Sequence, residues 1–143
     1  FEYAARGGLR GKRFSWGNTI DHSRANYIAD PSRYPYDLGY QGPDKRYQIY
    51  STSTAPLGSF EAGTNGYGMY DIVGSVYQWC WDWCPGEEGS ERVVRGSWGL
   101  NASECRVGFR DSYLPQYDTA KGIGFRIASP GFERRNGKTL TSP

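Results

Sequence analysis

Residues 76–83, VYQWCWDW, alternate in the manner of a half-buried strand: Val76, Gln78, Cys80 and Asp82 point one way, Tyr77, Trp79, Trp81 and Trp83 the other. PGEEGS at 85–90 is a turn, and Val93-Val94-Arg95 opens the next strand. A third is expected over Gly122-Ile123-Gly124-Phe125-Arg126-Ile127-Ala128. At the other end, Phe1-Glu2-Tyr3-Ala4-Ala5-Arg6 carries helix formers and Gly7-Gly8 supplies the stop. No capping residue opens that helix, so it reads as the remainder of a longer one. Residues 14–66 show neither period and are dense in Gly, Pro, Asn, Asp, Ser and Tyr. Backbone groups there must find side chains, water or ions, since no ladder serves them. Residues 130–143 are polar and read as a tail.

Composition supports one aromatic-pinned domain. The 143 residues are only 37% hydrophobic, yet 5 Trp, 12 Tyr and 6 Phe accompany 20 Gly and 8 Pro. Large rings fixing loops, rather than a helical bundle, is the expectation. A net charge of +2, with 17 Lys and Arg scattered along the chain, argues against nucleic acid as a partner. No apolar run approaches the ~20 residues of a membrane span. His22 is the sole histidine, which excludes a multi-histidine metal centre and leaves any Ser-His-Asp triad hanging on one loop residue. It is expected to face solvent. Gly63-Thr64-Asn65-Gly66-Tyr67-Gly68 lacks the Lys-Ser/Thr ending of a phosphate loop. Cys80 and Cys84 stand one residue too far apart for a CxxC motif, and with Cys105 the count is odd. At least one thiol is therefore free or paired elsewhere, and plain core packing is the alternative for all three.

Six stretches occur in order: EYAARGG, SWGN, APLGSF, NGYGMYDIVGSVYQWCWDW, RVVRGSW and GIGFRIA. Together they resemble the formylglycine-generating enzyme (sulfatase-modifying factor) family over residues 2–128. The resemblance implies an α+β, C-type-lectin-like fold, loop-rich with little regular secondary structure. Residues 1–129 would be the C-terminal portion of such a domain and 130–143 the polar tail.

Family enzymes oxidise a substrate cysteine to formylglycine with copper held between two cysteines five residues apart. Two thiolates suit soft Cu(I). In this resemblance the second cysteine matches Cys105, and the first falls at Leu100. An isobutyl group cannot share a soft ion with one thiolate, so copper is not expected. Cys105 is expected beside Cys80 instead, as a disulfide or a packed thiol pair. The competing reading is a working copper-dependent oxidase or a related oxidoreductase, resting on Cys105, Ser97 and Trp79. The family also binds calcium through oxygen atoms. Asn26 with the Tyr27 carbonyl, and Asp37 with the Gly39 carbonyl, match those positions, although Asn and Asp are ordinary turn residues too. A second family calcium site reads Gly74-Ser75-Val76-Tyr77-Gln78-Trp79, with Ser for Asn and Gln for Glu. Without the carboxylate that site is expected to be weak or empty.

What remains is a chemically mixed surface: Trp98, Gly99, Leu100, Asn101, Glu104, Phe109, Asp111, Ser112, Tyr113, Leu114, Gln116, Tyr117 and Asp118. Its framework of Ala102, Cys105-Arg106-Val107, Arg110 and Pro115 is similar to the variable proteins of diversity-generating retroelements, which have this fold and lack the cysteine pair. The resemblance implies a non-catalytic module that binds a protein or small-molecule ligand through residues 98–121. Trp98, Phe109, Tyr113 and Tyr117 would supply contact area, and Asn101, Asp111 and Asp118 hydrogen bonds. A solvated loop without a ligand is the plain alternative.

Overall fold

Helix α1 spans Glu2–Arg6. Its acid lies in the first turn and its base in the last, as the helix dipole favours, and Arg6 Nε and Nη2 donate to Glu2 Oε1 at 3.0 and 2.7 Å. Gly7 ends the helix in the left-handed region with φ 55°, as the Gly-Gly stop predicts. Any Cβ there would lie 2.7 Å from the Gly66 nitrogen, so both conformation and space demand glycine. The approaching loop is tied to the helix end by one amide. Asn65 Nδ2 donates to the Ala4 and Ala5 carbonyls at 2.7 and 3.3 Å, while Oδ1 accepts from the Tyr67 and Met69 N–H groups at 3.0 and 3.1 Å.

This computed structural model describes residues 1–47, 54–97, 99–113 and 122–129. Strands β1 (Ile28–Ala29) and β2 (Gly42–Pro43) form an antiparallel pair. The main sheet comprises β3 (Tyr77–Trp83), β4 (Arg92–Arg95), β5 (Asp111–Tyr113) and β6 (Ile123–Gly124), ordered β5-β4-β3-β6. Among the described strands of this sheet, β6 runs parallel to its neighbour β3 and the other pairs are antiparallel. The strand expected over 122–128 is thus two residues long. Beyond Gly124, Phe125 and Ile127 are 75% and 88% exposed, and the stretch is held instead through Arg126, whose Nε donates to Gln78.

The alternation of 76–83 does not survive as two faces. Tyr77 and Gln78 are both buried, Trp79 and Cys80 half-buried, and Trp81, Asp82 and Trp83 exposed. Burial falls along β3 instead, because the strand leaves the core and its ladder with β4 slips between Trp79 and Trp83. Arg92 covers the protruding rings: its guanidinium lies 3.4 Å from the Trp83 ring centre and 5.0 Å from that of Trp81.

The irregular region builds much of the interior. Phe14, Ile20, Ala25, Tyr27 and Ala29 pack with Ala102 and Cys105, and a second cluster joins Ala5, Ile72, Val73 and Val107. A partly buried ion pair and carboxylate hydrogen bonds replace missing ladders there. Arg46 donates to Asp44, at 2.7 Å through Nη2, and to the His22 carbonyl. Burial pushes the Asp44 carboxyl up, but the Arg46 hydrogen bonds and charge hold it below its ordinary value. His22 departs from expectation. It is buried, not solvent-facing, with its ring stacked 4.9 Å from Tyr27 and 4.1 Å from Tyr40. Rings 5 and 18 positions away close over it, which the local polarity of the loop concealed.

Candidate functional site

After β4 the chain turns through Gly96 and Ser97, the latter held at φ 66° with its side chain fully buried. Leu100 follows, half-buried, and its carbonyl accepts from the Ile28 N–H at 2.9 Å. The turn closed by Glu104 N–H on the Asn101 carbonyl at 3.1 Å then delivers Cys105 into the first core cluster. Cys105 is fully buried, and burial pushes its thiol up to about 12; the nearby Ser97 hydroxyl draws it partly back, although Ser97 Oγ makes no well-aligned hydrogen bond among the described residues. Cys80, Cys84 and Cys105 all carry free thiols, so the disulfide expected between Cys105 and Cys80 is absent. Cys105 packs among Phe14, Ile20, Ala25, Tyr27, Ala29 and Ala102, while Cys80 sits half-buried on β3, its thiol raised by burial. Gly74, at φ 65°, touches this pocket: a Cβ on it would meet the Ala25 methyl at 2.7 Å. Trp79, named with Ser97 and Cys105 for the oxidase, lies on β3 opposite Val94.

The four candidate calcium positions sit on both sides of β1. Asp37 is buried, and its carboxylate accepts from the Tyr27 hydroxyl, from the Gly39 N–H at 3.0 Å and from the Asp30 N–H at 2.8 Å. Burial first, then the hydrogen bond to Asp37, raises the Tyr27 phenol far above its ordinary value. Asn26 is also buried, and its Oδ1 has no hydrogen-bond partner among the described residues. At the position of the second family site, Gln78 does what a carboxylate cannot. Its Nε2 donates to the Asp71 and Ile72 carbonyls, each at 3.4 Å, while Oε1 accepts from Arg126 at 2.7 Å.

Three of the expected ligand residues converge. The Tyr77 hydroxyl lies 3.3 Å from Glu104 Oε2 and 3.1 Å from Asp111 Oδ2, and Asn101 Nδ2 donates to Glu104 Oε1 at 2.6 Å. Tyr77 itself was not anticipated. It lies on β3, 27 positions before Glu104, and only the folded sheet brings them together. Asn101 Oδ1 accepts from the Ser103 N–H at 3.0 Å, which fixes the turn. Ser112, next along β5, donates to Glu91 at 2.6 Å. Gly99 is buried and Leu100 half-buried, whereas Phe109 lines a different cleft with Arg106 and Arg110. Tyr113 pairs with Arg92 through the backbone of β5. Trp98, Leu114, Gln116, Tyr117 and Asp118 lie outside the described residues, as does the expected tail.

Glu104 gives this network a pH dependence. Burial raises its carboxyl, Asn101 and Tyr77 draw it back, and the Asp111 charge raises it further; the net shift is upward. A carboxyl raised by folding stabilises fully below its unfolded pKa, and that contribution is lost as pH rises through the folded pKa. Glu104→Gln removes the loss. Its melting temperature relative to the parent is expected to climb from about pH 4 to about pH 7, and an offset constant across that range would refute the assignment.

Comparison with known proteins agrees with this geometry. The Sulfatase-modifying factor enzyme 1-like domain matches residues 1–130. A formylglycine-generating enzyme of Streptomyces coelicolor is 34% identical over 153 residues, covering 90% of this chain and 44% of the relative. The Inactive C-alpha-formylglycine-generating enzyme 2 of Bos taurus is 31% identical over 137 residues, covering 90% and 41%. The chain thus spans less than half the length of these relatives. Among solved structures, Treponema denticola variable protein 1 superposes with a TM-score of 0.61 at 28% identity, covering 87% of this chain and 42% of that one. The mixed, loop-rich architecture is the C-type-lectin-like fold. The chain belongs to the family of sulfatase-modifying factor enzyme 1-like, or formylglycine-generating-enzyme-like, domains.

Proposed function

We propose that this chain is a catalytically lapsed member of its family, a module that binds a protein or small-molecule ligand through residues 98–121. The observation that carries the reading is Leu100 standing five residues before a fully buried Cys105, whose thiol burial pushes up to about 12. A soft copper ion held linearly needs two thiolates, and the Leu100 side chain offers no ligand atom. The residues do not fit a two-thiolate copper site, and no oxidation step is derived from them. The likeness to a relative named inactive and to a variable protein supports a binding role. The network of Tyr77, Asn101, Glu104 and Asp111 supplies a fixed polar floor, and the aromatic residues of the segment would supply contact area.

Calcium belongs to the same proposal as a structural ion. Asn26 Oδ1, buried and without a partner among the described residues, suits a hard cation, and Asp37 with the Tyr27 and Gly39 carbonyls would offer further oxygen.

The recognition surface is tested with Tyr113→Ala combined with Tyr117→Ala. The variant is expected to melt within about 2 °C of the parent. It is also expected to lose capture of whatever partner the parent retrieves from extracts of its source organism, once that partner has been purified and titrated directly. Unfolding of the double variant would place the rings in the core and sink the reading.

A further inference from the structure

A cleft of about 380 Å³ lies between the loop after α1 and residues 106–110. Arg6, Lys12, Arg13, Arg106 and Arg110 line it, along with Phe109. Among the described residues no carboxylate appears in the lining. Arg6 is already paired with Glu2, but among the described residues no acid forms an ion pair with the other four. Like charges gathered in a small space repel one another, and an anion placed among them relieves that repulsion.

Three of these cations are held rather than loose. Arg13 lies 4.2 Å above the Tyr36 ring and donates through Nη1 to the Asn18 carbonyl at 3.0 Å. Arg106 Nε is anchored on the Ser103 carbonyl at 2.6 Å, and Arg6 Nη1 on the Lys12 carbonyl at 3.1 Å. The two walls are joined behind the cleft. The Val107 N–H donates to the Arg13 carbonyl at 3.0 Å, and Arg95 Nη2 donates to the Val107 carbonyl at 2.6 Å. Guanidinium groups fixed by one edge keep other N–H groups to offer, and their fork geometry matches phosphate and carboxylate oxygens.

We propose that this cleft binds a compact oligoanion, a small molecule bearing several phosphate or carboxylate groups, with Phe109 as its apolar wall. The volume suits a small molecule and not a duplex. Residues 106–110 belong to the same segment as the proposed partner-binding surface, so the cleft adjoins it, but anion binding is read without any protein partner and neither proposal requires the other.

The test is calorimetric titration of the intact chain with inorganic pyrophosphate and, separately, with citrate at low salt. Saturable one-to-one binding of either is expected, and the two ligands distinguish a phosphate from a polycarboxylate source. Affinity should fall as salt rises from about 50 to about 200 mM, since exposed cations are screened. Arg106→Gln with Arg110→Gln, both exposed positions, should keep the melting temperature and weaken binding at least tenfold. Binding to a chain that captures no protein partner still supports the site. Absence of saturable binding by either anion to the folded parent overturns it. So does tighter binding of a single-stranded oligonucleotide that displaces pyrophosphate.

Discussion

Asp37→Ala is expected to lower stability by about 3–5 kcal/mol, read from urea unfolding. Three donors lose their acceptor at once: the Tyr27 hydroxyl and the N–H groups of Asp30 and Gly39. Tyr27 is fully buried, and water cannot readily take over. An orphaned buried donor costs about 1–3 kcal/mol, and partial relaxation keeps the sum below the maximum. Gly39 limits that relaxation, because even a Cβ there would lie 2.6 Å from the Tyr27 hydroxyl oxygen. Asp37→Asn keeps the shape and half the acceptor capacity, so its loss should be nearer 2 kcal/mol. Calcium adds a second readout. If the ion binds the folded chain alone, saturation at a hundred times its dissociation constant stabilises by about 2.7 kcal/mol. Chelation should remove that increment from the parent and leave Asn26→Ala unchanged. A parent indifferent to both calcium and chelator would mean that Asp37 serves its protein donors only.

The sequence motifs that led to the right family say little about which side chains meet. The Gly7 stop and the β3–β4 hairpin are local features, and both were legible in the order of residues. β5 was not, since Asp111-Ser112-Tyr113 has only one good strand former and owes its form to pairing with β4. The alternating pattern of 76–83 misled because alternation reports two faces only while a strand stays against the core. His22 looked solvated because its polar neighbours in sequence are not its neighbours in space. The basic cleft shows the same limit in charge: Arg13 and Arg106 look scattered until the Val107–Arg13 backbone bond brings their segments together. By contrast, the identity of residue 100 needed no fold at all. A hydrocarbon cannot ligate copper in any conformation.

That identity yields the sharpest reversal experiment. Leu100→Cys, made in a Cys80→Ser, Cys84→Ser background, restores two cysteines five residues apart with no other thiol in the chain. Leu100 is only half-buried, so trimming it should cost about 1 kcal/mol and leave the fold intact. The expected result is Cu(I) binding at least a hundredfold tighter than in the parent background, abolished again by Cys105→Ser. The magnitude follows from coordination, because two thiolates can hold the ion linearly and a single one cannot. Burial enters with a definite sign. The Cys105 thiol, pushed up to about 12, must release its proton to the solvent when it binds metal. Affinity should therefore rise with pH over about 6 to 9, the direction of any proton-releasing ligand. An unaltered parent that already binds Cu(I) tightly, and loses it with Cys105→Ser, would show that one thiolate suffices and would return the chain to the oxidases.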